Sequence, residues 1–348
     1  MKIRILLLAL FIVSNVFSQV SVSSQHIGGV KGFKKGFLDK FKKTETIFVL
    51  STLYEIEEYQ KILDEVWTVT PFRIIDAEEF EIREFLGSKY SVAQLSGIKK
   101  EVQMKSGSTV PVVNTYFDLK MYNKAMIQKK LSKLSPKKRK EKRSEIMEMY
   151  SSDIARFLLY PKEEFITEIY KDTKQNDNMA YIVDALFHRD VFFNNKLGFI
   201  KNYFQKINNL LETEEVNWMY GDSYINEIAN LTNETLYIPS YVLYKYNGRK
   251  RTDNLQDESY LDELFKDYVY DYELIDDNVL NDKILSGEEF YYLRYARSNS
   301  ERFIQIINSK TGEIVYADHI IGMSYNIKDK HIKDLVKCVT KVDKKMNR

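Results

Sequence analysis

Two stretches of the chain, 200 positions apart, carry the same local pattern, and this repetition constrains the fold more than any other feature. Phe72–Asp76 reads Phe-Arg-Ile-Ile-Asp, and Tyr272–Asp276 reads Tyr-Glu-Leu-Ile-Asp. Gly87 and Gly287 follow at the same distance, each shortly before another apolar run. Each unit therefore predicts a strand, an aspartate cap, a short helix, a glycine stop and a second strand. In this interpretation both aspartates accept backbone N–H bonds and neither is catalytic.

The repetition predicts an α/β (α+β) fold with two similar small mixed-sheet domains. The Lys/Arg-rich stretch 124–150, interrupted at Ser135-Pro136, predicts two surface helices inserted into the first domain. The helical spacing of apolar residues over Leu197–Leu211 predicts a helix that joins the domains. We therefore expect a flexible lead-in at 19–44, a first α/β domain at 45–195 and a second one at 196–348.

The first 18 residues are typical of a secretory signal peptide. Lys2 and Arg4 precede an apolar run from Ile5 to Val13, and Val16 and Ser18 are small enough for a signal peptidase site. The alternative, an uncleaved anchor, needs about 20 apolar residues, which this run does not reach. We therefore expect a signal peptide at 1–18, a mature chain starting at Gln19 and no later transmembrane span. The expected location is periplasmic or outer-envelope associated, in a bacterium.

Charge and cysteine content narrow the function further. Without Lys2 and Arg4, basic and acidic residues would be equal in number at 50 each, which gives no reason to expect nucleic-acid binding. Cys338 is the single cysteine, so the chain has no intrachain disulfide. We expect it to be a small apolar residue on a C-terminal helix, and a reactive thiol is the alternative.

The element order, together with a hairpin that reads Thr-Gly-Glu-Ile-Val-Tyr at Thr311–Tyr316, resembles a known type of domain. Each half is similar to the small periplasmic α/β domain at the N-terminus of TolB, a type that also occurs in the curli-secretion family. The resemblance covers about 100 residues at each end. It implies protein–protein contact in the periplasm and no catalysis. The β-propeller that follows this domain in TolB has no counterpart here, so TolB's own role does not carry over.

Motifs for catalysis and for cofactors are absent from the sequence. His26, His188, His319 and His331 lack metal-site spacing, and neither a nucleophile elbow nor a phosphate-binding loop occurs. We expect no catalytic, cofactor-binding or metal-binding residue. One enzymatic alternative stays open, an envelope glycan hydrolase that uses paired carboxylates. Its candidates are the acidic pairs Glu57/Glu58, Glu78/Glu79 and Asp276/Asp277.

Aromatic residues are abundant, with 25 Tyr, 20 Phe and two Trp. Exposed aromatic rings could stack on the sugars of peptidoglycan or a polysaccharide; Trp67 ends a predicted helix and Trp218 follows another. The alternative is packing, which alternating tyrosines such as Tyr268, Tyr270 and Tyr272 favour in a sheet. The pattern alone favours packing.

The sharpest local feature is a basic run within the predicted insertion: Lys137, Lys138, Arg139, Lys140, Lys142 and Arg143. Such a run could contact anionic lipid headgroups or an acidic envelope protein. The alternative is a solvated helix face balanced by acidic residues elsewhere. The sequence as a whole favours an exported, envelope-associated binding or scaffolding protein without enzymatic activity. The alternatives are the glycan hydrolase and a protein that contacts a membrane surface through the basic insertion.

Overall fold

The chain forms two six-stranded mixed sheets with helices packed on them, which confirms the predicted α/β fold of two similar domains. The structure is a computed structural model that describes residues 19–26, 28–103, 107, 109–172, 179–322 and 324–347. The expected signal peptide, 1–18, lies outside the described residues. Within those ranges, no helix combines the length and the apolar character that crossing a membrane requires.

The first sheet has its strands in the order β1-β6-β5-β4-β2-β3. In chain order these strands are β1 Val20–Val22, β2 Glu45–Val49, β3 Phe72–Ile74, β4 Tyr90–Gln103, β5 Thr109–Tyr122 and β6 Ser151–Leu159. β2 runs parallel to both β3 and β4, and the remaining pairs are antiparallel.

The second sheet has the order β11-β8-β12-β13-β14-β7. Its strands are β7 Ser223–Tyr224, β8 Leu236–Pro239, β11 Tyr272–Ile275, β12 Tyr291–Ser298, β13 Glu301–Asn308 and β14 Ile314–Ile321. β8 runs parallel to β11 and β12, and the other pairs are antiparallel. A separate antiparallel ribbon contains β9 Tyr244–Asn247 and β10 Thr252–Leu255.

Strand for strand, the two sheets have the same order and the same directions when the second is read from β7. The register agrees as well. In the first sheet Thr46 lies opposite Phe72 and Ser91. In the second sheet Leu236 lies opposite Tyr272 and Tyr291, and these two partners come 200 positions after Phe72 and Ser91. The similarity inferred from the sequence between 72–90 and 272–290 therefore extends to the whole sheet.

Ten α-helices connect and cover the strands within the described ranges. They are α1 Phe37–Phe41, α2 Ile56–Val66, α3 Lys124–Ser132, α4 Pro136–Met149, α5 Glu163–Asp172, α6 Met179–His188, α7 Leu197–Glu212, α8 Ser259–Phe265, α9 Asp277–Leu285 and α10 Asp329–Met346. Short 3₁₀ helices span Ile82–Phe85, Asn226–Thr232 and Ser240–Leu243. α3 and α4 are the predicted pair of inserted helices, with Pro136 in the first turn of α4.

Helix α7 lies between the two sheets and is buried on nearly every side. Phe204 packs against Phe48 and Phe117 of the first sheet, at ring-centroid distances of 5.3 Å each. Phe199 packs 5.5 Å from Tyr292 of the second sheet. The apolar stripe recognised in the sequence includes Phe204 but not Phe199, so it predicts the contact with the first sheet and not the contact with the second. α7 follows β6 after α5 and α6, whereas α10 follows β14 directly. The expected domain boundary at 196 falls at the start of this shared helix and stays a prediction.

The expected flexible lead-in at 19–44 is also wrong, because this segment contains a strand and a helix. β1 forms an edge of the first sheet, pairing Val20 with Phe157, and Val20 and Val22 are fully buried. Phe41 of α1 is buried as well. A three-residue strand is too short for its periodicity to be recognised, and its partner lies far away in the sequence.

The two predicted aspartate caps are present. Asp276 accepts hydrogen bonds from the backbone N–H groups of Asn278 and Val279 at the start of α9, and Asp76 accepts one from Glu78. Only the second unit has the expected α-helix, since Asp76 is followed by a turn and the 3₁₀ helix. Both repeat glycines have positive φ, 116° at Gly87 and 81° at Gly287, which explains why glycine occupies each stop.

Candidate functional site

A cleft of about 640 Å³ lies where the two domains and the N-terminal segment meet. This is the size usual for a small-molecule site. Its walls contain His26, Gly28, Gly29, Val112, Asn114, Tyr116, Arg156, Trp218, Tyr220, Ser298, Asn299, Ser300, Glu301, His319 and Ile321. We call this pocket the interdomain cleft.

The first-domain wall is the sheet face opposite α7. Because side chains alternate along a strand, Phe117 and Leu119 point to α7 while Tyr116, Asp118 and Lys120 point away from it. Arg156 on β6 donates two hydrogen bonds to the Asp118 carboxylate, at 2.5 and 2.9 Å. Its guanidinium lies 4.0 Å from the Tyr116 ring centroid. The cleft therefore has a buried, rigidly held cation whose charge is already paired.

Lys120 continues the same row of charges away from the cleft. Its ammonium lies 2.7 Å from Glu148 on α4 and 3.7 Å from Asp118. Burial alone would raise the pKa of the Asp118 carboxyl, but Arg156 and Lys120 outweigh it and hold that pKa well below its usual range. Asp118 is thus ionised at neutral pH despite being buried.

His26 lies over this charged face and lines the cleft. Its side chain is only 4% exposed, and neither ring nitrogen has a hydrogen-bond partner among the described residues. Burial, reinforced by the nearby Arg156, lowers the pKa of His26 to about 3. The imidazole is therefore neutral, with one donor and one acceptor that have no protein partner. A buried polar group of this kind is costly unless a ligand or water satisfies it.

The opposite wall is aromatic. Trp218 and Tyr220 follow α7 with ring centroids 5.1 Å apart, and Tyr220 also lies 5.2 Å from the His319 ring. The Tyr220 hydroxyl hydrogen-bonds to that of Tyr116 across the cleft. Phe303 supports the other side of His319 at 4.9 Å, and the His319 Nε2 is buried without a partner among the described residues. Burial also lowers the pKa of His319.

The turn between β12 and β13 closes one end of the cleft. The Ser298 hydroxyl and the Asn299 side-chain amide both donate to the side-chain Oδ1 of Asn114, at 2.8 and 2.7 Å, and Asn299 also donates to the backbone oxygen of Val113. These bonds anchor the second domain to β5 of the first. Glu301 follows the turn, and burial raises its pKa. The cleft is therefore framed by fixed contacts between the domains.

The predicted interaction residues lie away from the cleft, on α4. Lys137, Lys138, Arg139, Lys140 and Lys142 are exposed, and Arg143 is half-buried. Arg139 donates to the backbone oxygens of Ser132 and Leu134 at the end of α3, and Lys142 pairs with Glu145 at 2.6 Å. The insertion starts beyond Tyr122, at the end of β5 about 20 Å from Tyr116 at the usual rise per residue. The structure does not bring the basic run and the cleft together.

The acidic pairs proposed for glycan hydrolysis lie at the starts of helices or in turns. Glu57 and Glu58 occupy the first turn of α2, and the Glu58 carboxylate accepts a hydrogen bond from the Glu55 N–H. Asp277 opens α9 and accepts from the Tyr241 N–H. Of the described residues, Glu301 is the one acid lining the cleft. The described residues also contain no group of histidine, cysteine and acidic side chains able to hold a metal ion.

A second concave surface lies on α10 and has a simpler construction. It is lined by Val336, Lys337, Thr340, Lys341, Lys344 and Lys345, which all belong to that one helix. Cys338 is half-buried on α10, and burial raises the pKa of its thiol. This surface contains no buried polar group directed at a ligand, so the interdomain cleft is the better candidate site.

The sequence singled out His26 and His319 only as scarce residue types, and Trp218 as an aromatic residue that could stack on sugars. No local pattern relates them, because they lie in the N-terminal segment, after α7 and on β14. No protein-family model, curated protein or solved structure matches this chain. The resemblance to the TolB N-terminal domain therefore stays a prediction.

Proposed function

We propose that this protein is a non-enzymatic binding protein of the bacterial envelope, and that its ligand binds in the interdomain cleft. One observation carries the proposal. His26 is almost completely buried, lines the cleft and leaves both ring nitrogens without a partner in the described chain. Desolvating these groups costs free energy that a bound ligand would return. The expected export signal and the resemblance to a periplasmic contact domain support the same location.

Binding accounts for the cleft better than glycan hydrolysis does. Hydrolysis of a glycosidic bond usually needs two carboxyl groups about 5 to 9.5 Å apart across the cleft. Glu301 is one carboxylate there, while Asp118 lies behind Arg156 and is held ionised by it. Among the described residues, the cleft therefore lacks a second free carboxylate opposite Glu301, and hydrolysis needs one to act with the general acid.

A thermal-shift comparison tests this proposal. The small-molecule fraction of a bacterial envelope extract should raise the Tm of the protein, because a ligand that binds only the folded state stabilises it. Ser300→Tyr should remove the shift, since the exposed Ser300 lines the cleft and a bulky ring would fill it. Ser144→Tyr, at an exposed position on α4, is the matched control and should keep the shift. A shift that survives in Ser300→Tyr would place binding elsewhere.

Export has its own measurement. If residues 1–18 are a cleaved signal peptide, the protein recovered from the envelope starts at Gln19 by N-terminal sequencing. Recovery of the uncleaved chain in the cytoplasm would contradict the proposed location without affecting the cleft.

The basic insertion supports a second role, contact with an anionic envelope surface. Lys137, Lys138 and Lys140 are exposed and form no ion pair with the described residues. Each lysine near an anionic bilayer adds about 1 kcal/mol of attraction. Co-sedimentation with phosphatidylglycerol vesicles should therefore fall when these three lysines become serine.

The matched control for this role is a triple serine variant of Lys337, Lys344 and Lys345 on α10, which removes the same charge elsewhere. Equal losses in the two triple variants would show a general charge effect. No sedimentation of the unmodified protein would exclude this role.

A further inference from the structure

We infer that the interdomain cleft binds an uncharged saccharide through aromatic stacking on Trp218 and hydrogen bonds to His26 and His319. This inference rests on the proposed function, because it specifies the ligand of the same site. Three properties of the cleft lead to it: the balance of charge, the supply of hydrogen-bonding groups, and the aromatic wall.

The charges in the cleft are few and mostly compensated. Arg156 is the cation, and its two bonds to Asp118 neutralise it. Lys120 lies beyond Asp118 and has carboxylates of its own at Glu148 and Asp153. An anionic ligand would give up its hydration and find no unpaired cation of matching strength, which is unfavourable. Glu301 is the one acid on the lining, and burial raises its pKa, which disfavours the charged form that a cationic ligand would need. This favours a neutral ligand.

The hydrogen-bonding groups match those of sugar hydroxyls. A neutral imidazole has one donor and one acceptor, and a hydroxyl can serve as either. His26 contributes two unpartnered ring nitrogens and His319 contributes one, all of them buried. The Glu301 carboxylate adds an acceptor on the same lining. A ligand with several adjacent hydroxyls would satisfy these groups together, whereas an apolar ligand would leave them unpaired.

The aromatic wall supplies the apolar part of the contact. Trp218 is half-buried and has no hydrogen-bond partner for its indole N–H among the described residues. The negative face of an aromatic ring attracts the weakly positive C–H groups on the flat side of a sugar ring. Tyr220 extends this wall towards His319. The cleft thus combines an aromatic surface with polar groups on the same lining, which suits a ring that is apolar on its flat side and polar at its rim.

Tryptophan fluorescence offers a direct test, because the chain has two tryptophans and only one lies in the cleft. Trp67 is 4% exposed and belongs to the core, so Trp67→Phe leaves Trp218 as the sole reporter. We would titrate this variant with N,N′-diacetylchitobiose and cellobiose as neutral saccharides, with glucuronate and glucosamine as charged ones, and with indole as an apolar ring. Saturable changes are expected with a neutral disaccharide.

Variants then tie that signal to the cleft. His26→Ala in the Trp67→Phe background should weaken binding by about three- to tenfold, the equivalent of one hydrogen bond. His188→Ala, on α6 and outside the cleft lining, should leave the affinity unchanged. If His26→Ala does not fold, Ser300→Tyr replaces it and should abolish the signal.

The outcomes separate this inference from the proposed function. Saturation with glucuronate, glucosamine or indole but with neither disaccharide would overturn the neutral saccharide and keep the cleft as a binding site. Saturation with a disaccharide that is insensitive to both His26→Ala and Ser300→Tyr would overturn the placement in the cleft. If none of the five probes saturates, both the saccharide and the ligand-binding role of the cleft fail.

Discussion

The two domains use the same face of the same sheet in different ways. In each domain one helix later in the chain than the last strand, α7 or α10, packs on one face. In the second domain the other face is covered by α7, which places Tyr292 and Arg294 in the interior. In the first domain the corresponding face is covered by the N-terminal segment and by Glu148 of α4, and it opens into the interdomain cleft. Equivalent positions can therefore be structural in one domain and available to a ligand in the other.

The charges on these equivalent faces show the difference most clearly. Asp118 and Gln305 occupy equivalent positions in the two sheets. Asp118 on β5 pairs in register with Gln94 on β4, and Gln305 on β13 pairs with Arg294 on β12, 200 positions after Gln94. In the first domain Asp118 pairs with Arg156. In the second, the fully buried Arg294 bonds to the neutral Gln305 and lies 4.0 Å from the Tyr203 ring centroid. One face thus depends on an ion pair and the other on a cation held by an amide and a ring.

The first prediction compares these two acceptors, and it has the largest expected effect. Asp118→Asn removes the carboxylate and leaves Arg156 buried without its counter-charge, so the free energy of unfolding should fall by about 3 kcal/mol or more. Gln305→Leu removes a neutral acceptor and should cost about 1 to 2 kcal/mol. Urea denaturation measures both values. Equal losses would mean that the Asp118–Arg156 charge adds nothing beyond a hydrogen bond.

The second prediction uses acid to discharge Asp118 without a mutation. Its pKa in the folded protein lies below the unfolded value of about 3.9, so its stabilisation is complete above that value and is lost as the pH falls below it. The unmodified protein should therefore lose more stability between neutral pH and about pH 3 than Asp118→Asn does. Denaturation curves at several pH values would show this, and parallel losses would contradict it.

The third prediction concerns the links between the last two strands of each sheet. In the second domain this link is a tight turn docked on α7, where Asn202 donates to the Ser309 oxygen at 2.8 Å and Lys206 pairs with Glu313 at 2.6 Å. Gly312 has φ 68°, and an added Cβ would lie 2.6 Å from the Asn202 oxygen. In the first domain the same link is the exposed helical insertion.

Gly312→Ala should therefore destabilise by about 2 kcal/mol, combining positive-φ strain with a clash against α7. Gly287→Ala has similar strain at φ 81° but open space around the added carbon, so about 1 kcal/mol is expected. Thermal unfolding of both variants gives the comparison. A Gly312→Ala loss no larger than that of Gly287→Ala would show that the turn does not press on α7.

The smallest effect on stability is expected from the insertion. Changing Lys137, Lys138 and Lys140 to serine should alter the free energy of unfolding by less than about 0.5 kcal/mol, because exposed charges without partners contribute little. Urea denaturation checks this. A loss above about 1 kcal/mol would mean that these lysines hold the insertion in place, and reduced vesicle binding could then not be assigned to charge.

Local patterns predicted the elements well wherever neighbours in sequence are also neighbours in the structure. The aspartate caps, the helix break at Pro136 and the apolar stripe of α7 were all recognised from the sequence. A capping box formed by Glu55 and Glu58 opens α2, while the nearby Thr52 hydroxyl hydrogen-bonds to His188. That bond joins residues 136 positions apart, and no local pattern indicates it.

The interdomain cleft could not be predicted, for a related reason. His26 looked like part of a flexible lead-in because β1 is only three residues long and its stability comes from pairing with β6. In the sequence Arg156 and Asp118 are two isolated charges within strands. In the structure their side chains point to the sheet face opposite α7, where they are buried and paired with each other. A residue's environment here depends on which element covers its face of the sheet, and that element can be far away in the chain.

The sequence by itself determined the α/β class, the repeated strand–cap–glycine–strand unit and the two inserted helices, because these depend on periodicity and on backbone preferences within a few residues. Only the tertiary structure decided that α7 packs between both sheets, that the lead-in contributes the edge strand Val20–Val22 and a cleft wall at His26, and that His26, Trp218 and His319 line one cleft. Those arrangements arise from burying apolar faces of distant segments together, and the free energy that selects them belongs to the whole packed chain.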